Sequence, residues 1–87
     1  MKSYIAEKTR YRIQGSYRKQ AFVGVINQDA STNSWSWKGH IDFEDGPYSE
    51  FISQRRFTTG LQAEEDMRQF AHHRIDNWLR ATQPGII

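Results

Sequence analysis

The chain contains no cysteine, which excludes disulfide frameworks and thiolate metal sites and fits a reducing compartment. No apolar run approaches the roughly 20 residues that a membrane-spanning helix requires. The opening Met1-Lys2-Ser3-Tyr4-Ile5-Ala6-Glu7 lacks the apolar segment of a secretory signal. A cytoplasmic protein without membrane association is therefore the expectation. Internal repeats, low-complexity tracts and linker-like stretches are missing as well. There is no HExxH pair, glycine-rich phosphate cradle or nucleophile elbow, so a non-enzymatic protein with no cofactor and no metal is expected.

What is present suits one small core. The 87 residues are 37% hydrophobic, 14% aromatic and 25% charged, enough for a single domain with large side chains to bury. The formal net charge of +2 conceals an asymmetry. Residues 1–28 carry Lys2, Lys8, Arg10, Arg12, Arg18 and Lys19 against Glu7 alone. Residues 29–54 carry Lys38 against Asp29, Asp42, Glu44, Asp45 and Glu50. The last part nearly balances, with five arginines against Glu64, Glu65, Asp66 and Asp76. A basic amino-terminal third beside an acidic middle favours an anionic partner at one end, or neutralisation within a sheet.

The clearest local pattern runs through Trp35-Ser36-Trp37-Lys38-Gly39-His40-Ile41-Asp42-Phe43-Glu44. Apolar residues at 35, 37, 41 and 43 alternate with polar ones, the period of a strand with one face in a core. Residues 4–14 alternate similarly, and Gly15-Ser16 reads as a tight turn. A second strand is expected over 17–26, apolar on both parities at Phe22-Val23-Gly24-Val25-Ile26 and hence central or doubly covered. The polar stretch 27–34 reads as a loop, and Asp45-Gly46-Pro47 as a turn. An imperfect pattern over 51–57 suggests a fourth strand at a sheet edge.

From Thr58 the period becomes helical. Thr59 and Gln62 have capping-box spacing, and Glu64-Glu65-Asp66 sits where the helix dipole favours negative charge. Ala63, Met67, Phe70, Ala71 and Trp78 then recur along one stripe, with Glu64–Arg68 and Asp76–Arg80 as i,i+4 pairs. Pro84-Gly85 closes a helix of about 60–81. The expected fold is α+β in two layers: an antiparallel sheet of three to four strands packed on one carboxy-terminal helix.

A helix on one side leaves the other side of the sheet open. By parity, Lys8, Arg10, Arg12 and Gln14 share that side with Lys38 and His40, joined by Arg18 and by Arg56 or Arg55. Cations on an open sheet can replace counterions along phosphates, and guanidinium groups can reach base edges. Asp42 and Glu44 lie on the same parity, so a solvated face with cross-strand charge pairs is the plainer reading. Lys8, Arg10, Arg12, Arg18, Lys38 and Arg56 are the candidate nucleic-acid contacts.

A Trp-x-Trp-x-x-x-Ile strand, a closing Phe-Thr-Thr and an Ala-Glu-containing helix resemble the plant AP2-type domains and the arm-binding domains of integrases. The residues that carry the resemblance are Trp35, Trp37, Ile41, Phe57, Thr58, Thr59, Ala63 and Glu64, across about a third of the chain. It implies a three-stranded sheet whose exposed arginines and tryptophans enter the DNA major groove. This chain departs from it in placing both tryptophans on the core parity, in its acidic central turn and in its extra first strand.

A rival expectation follows from the second strand. If Phe22, Gly24 and Ile26 point inward, Ala21, Val23 and Val25 face outward, or the reverse. An outward apolar patch marks a protein interface. Val23 and Val25 with the acidic turn then suggest a protein-interaction, accessory or inhibitor protein of phage or plasmid type, with a homodimer as one form. Among the histidines, His72 and Asp76 at i,i+4 with His40 make an imaginable metal set, although polar helix-surface residues explain them as well. Arg74, at a helical angle between Met67, Phe70 and Trp78, is expected to lie along the apolar face or to anchor an anion.

Overall fold

A computed structural model of the chain describes residues 9–43 and 48–82, with Tyr48 described in its backbone only. Four strands, β1 (Arg10–Tyr17), β2 (Gln20–Gln28), β3 (Trp35–Asp42) and β4 (Tyr48–Ile52), precede one helix, α1 (Gly60–Thr82). The strands form one antiparallel sheet in the order β1-β2-β3-β4, with α1 packed on one face. This is the expected α+β arrangement.

The element boundaries correct the sequence reading in two places. Gly15-Ser16 is not a turn: both residues sit inside β1, opposite Phe22 and Ala21. The hairpin turns instead at Arg18 and Lys19, both in the left-handed region at φ 53° and 70°. Gly15 is there for space. A Cβ on it would lie 2.7 Å from the Phe22 ring and 2.9 Å from the Arg68 guanidinium. The second correction concerns residues 51–57. β4 ends at Ile52, and Gln54, Arg55 and Arg56 swing into solvent. Phe57 then returns to pair with Trp35, each donating its N–H to the other's carbonyl at 2.8 Å. Phe51 and Phe57 both bury in the core, and the polar run between them cannot, so the strand breaks there. Residues 4–8 of the expected first strand and the turn at 44–47 lie outside the described residues.

The core explains how the helix comes so close. Ala63, Met67, Ala71 and Ile75 form a fully buried i,i+4 row on α1. Beneath it, one row across the sheet runs Ile13, Gly24, Gly39, Phe51. The two adjacent glycines open a trough that the Met67 side chain fills: a Cβ on Gly24 would stand 2.6 Å from Met67 Cε. Aromatic rings close the flanks, with Trp37 edge-on to Phe51 and Phe43 stacked on Trp78. The indole of Trp37 donates to Asp66 Oδ2 at 2.9 Å, so its one polar atom is satisfied at the helix edge.

The helix begins as its sequence indicates. Thr59 Oγ1 accepts from the N–H of Gln62 at 3.1 Å, and Gln62 reaches back to accept from the N–H and hydroxyl of Thr58. Glu64 and Arg68 form the expected pair. Asp76 does not pair with Arg80: it accepts from the Tyr17 hydroxyl at 3.2 Å and from Arg18 at 2.8 Å, pinning the hairpin turn to the helix. No helix among the described residues is long and apolar enough to cross a membrane.

Candidate nucleic-acid interface

The register fixes what the uncovered face displays. Tyr11, Ile13 and Tyr17 of β1, Phe22 and Ile26 of β2, and Trp35, Trp37 and Ile41 of β3 pack on the helix side. The opposite parity therefore points away from it. Across the sheet this gives a row Arg10, Asn27, Ser36, then Arg12, Val25, Lys38, Ile52, then Gln14, Val23, His40, Glu50. Asp42 lies at the far end of β3. Strand spacing puts Arg12 and Lys38 roughly 10 Å apart, on either side of Val25.

The candidate contacts divide four ways. Arg10, Arg12 and Lys38 stand exposed together on the open face. Among the described residues none of the three forms an ion pair or side-chain hydrogen bond. Arg56 reaches the same end of the sheet but is held by Asp29 at 3.2 Å and by the Ser34 hydroxyl at 3.1 Å. Arg18 departs from the sequence reading: it sits on the helix side, spent on Asp76. Lys8 lies outside the described residues. Val23 and Val25 both face outward, half-buried among the longer side chains of their row neighbours. Tryptophans 35 and 37 lie under the helix and off this face.

The cations converge on a groove of about 540 Å³ at the β1–β2–β3 end where the chain leaves β4. Arg10, Lys38, Arg55 and Arg56 supply its charge, Asn27, Ser36, Ser53 and Gln54 its hydrogen-bonding groups, and Val25 and Ile52 its apolar floor; no carboxylate lines it. Sequence reasoning missed Asn27 because it ends the second strand at 26 where β2 runs on to Gln28, and Gln54 because it keeps 51–57 in a strand that ends at Ile52. Arg55, left open against Arg56 by phase, stacks over Phe57 at 5.0 Å from its centroid. Asp29, just outside the groove, is held below the usual carboxylate range by hydrogen bonds from Ser31, with Arg56 adding to the shift. It stays ionised and fixes Arg56. The opposite end of the face carries Glu50 and Asp42, so the charge is segregated along the strand direction.

Comparison with family models, curated proteins and solved structures gives no match. Function therefore rests on this geometry. The imagined metal set is split by the sheet: His40 faces the open side, while His72 stacks on the Tyr17 ring at 4.1 Å on the helix side. Among the described residues no group of three or more histidines or carboxylates could hold an ion. Arg74 lies along the apolar edge as expected, 5.8 Å from the Phe51 centroid and 5.9 Å from that of Phe70, and donates to Ser49 Oγ at 2.7 Å.

Proposed function

We propose that the chain is a non-enzymatic nucleic-acid-binding module that lays the cationic end of its open sheet on a duplex. The observation that carries this reading is the meeting of Arg10, Arg12 and Lys38 on the open face, all without a partner among the described residues, with Arg10 and Lys38 lining a groove that no described carboxylate lines. Unpaired cations are free to displace counterions from phosphates without first breaking internal bonds. Asn27 and Gln54 beside them offer the paired donor and acceptor that read adenine edges in a major groove.

A duplex suits this face better than a single strand. Its cationic rows, Arg10–Asn27–Ser36 and Arg12–Val25–Lys38–Ile52, carry no aromatic side chain on which unpaired bases could stack. The AP2-type and integrase resemblance points to the same use of a sheet, but by other residues, since the tryptophans are buried here.

Titration of a fluorescent DNA duplex across a salt series tests the reading. Three to four neutralised phosphates give a slope of about −2.7 to −3.6 in log K against log salt, hence a roughly 40- to 150-fold loss of affinity between 50 and 200 mM. No binding at low salt, or binding indifferent to salt, would remove it.

A further inference from the structure

We infer that two copies of this chain dock open face to open face with their strand directions opposed, and that this self-association covers the cationic groove. The covering of a nucleic-acid site rests on the function proposed above; the docking itself does not.

The face has the two ingredients that such a contact needs. Its middle is apolar, with Val23 and Val25 on β2 and Ile52 on β4, which is 59% exposed. Its ends are opposite in sign: Arg10, Arg12 and Lys38 towards one, Glu50 and Asp42 towards the other. Two identical sheets can face each other about a two-fold axis running along the strands or across them. The first lays the basic end of each copy on the basic end of the other, and acidic end on acidic end. The second turns the strands end for end and brings Lys38 of each copy over His40 of the other, beside Glu50 and Asp42. Charge therefore selects the second arrangement, in which Val25 of one copy lies over Val23 of the other.

Facing sheets stand about 10 Å apart, within reach of lysine and arginine heads while the short valine side chains approach at the centre. A sheet of this width and length supplies a contact in the size class of transient interfaces. The dimer is accordingly a transient one, and its ionic part makes it weaken with salt. Because Arg10 and Lys38 both line the groove and face the second copy, a polyanion and a second copy compete for the same surface.

Sedimentation velocity of the full chain over a wide concentration range tests the docking through a charge swap. Lys38 and Glu50 are exposed, and circular dichroism checks that Lys38→Glu and Glu50→Lys remain folded. Each variant alone should be monomeric at concentrations where the unaltered chain dimerises, since like charges then meet twice per dimer. An equal mixture of the two should associate again, since every contact is once more between opposite charges. An unaltered chain that stays monomeric into the hundreds of micromolar, or a mixture that fails to associate where the unaltered chain does, overturns the inference. Either result leaves the salt slope on a duplex untouched, so the failure of self-docking and the failure of nucleic-acid binding are separately visible.

Discussion

Single residues decide how closely the two layers meet and how the hairpin is tied to the helix. A Cβ on Gly24 would stand 2.6 Å from Met67 Cε and 3.1 Å from the Lys38 carbonyl oxygen, so Gly24→Ala overpacks a filled trough. A loss of about 1–3 kcal/mol is expected in urea denaturation. Truncating Met67 in the same chain should recover part of it, a coupling that a double-mutant cycle measures. Asp76 acts through charge. Hydrogen bonds from Arg18, then from Tyr17, hold its pKa below the ordinary carboxylate value. A depressed folded-state pKa means stability that is fully present above the unfolded value, about 3.9, and lost as pH falls through the folded one. Asp76→Asn should therefore lower the urea midpoint at neutral pH and converge with the unaltered chain in strong acid. A constant difference across pH would show that packing, and not ionisation, is what Asp76 supplies.

At the scale of elements, the β1–β2 hairpin carries an avoidable cost. Arg18 and Lys19 hold positive φ without being glycine, each at roughly 1–2 kcal/mol against the left-handed region. Arg18 recovers part of that through Asp76; among the described residues Lys19 has no side-chain hydrogen bond or ion pair to offset it. Lys19→Gly is expected to stabilise the fold by about 1 kcal/mol without altering the open face, read as a raised urea midpoint. This hairpin also shows where the sequence was legible and where it was not. The alternation in Trp35–Asp42 and the helical stripe from Ala63 to Ile75 report burial directly, so β3, α1 and the inward tryptophans could be read from periodicity. Gly15-Ser16 imitated a turn because a glycine kept for the Phe22 ring looks the same in sequence as one kept for its dihedrals. Arg18, read as a surface cation, was claimed by Asp76, a partner 58 residues away. Parity placed Arg10, Arg12 and Lys38 on one face, but the groove depends on how 53–56 leaves the sheet, and no local pattern encodes that exit.

For the whole molecule, the consequence is a body with one dry face under a helix and one open face whose charge runs from basic to acidic. Net charge is small, so any attraction to a polyanion depends on where the cations stand and not on how many there are. Lys38→Ala and Arg80→Ala remove the same charge from opposite sides of the protein, Lys38 from the open sheet and Arg80 from the last turn of α1. The most direct measurement is therefore the salt dependence of duplex binding for these two variants side by side. Lys38→Ala should reduce the magnitude of the log–log slope by about 1 while Arg80→Ala leaves it unchanged. Equal reductions in both, or a loss confined to Arg80→Ala, would contradict the placement of the binding surface on the open sheet.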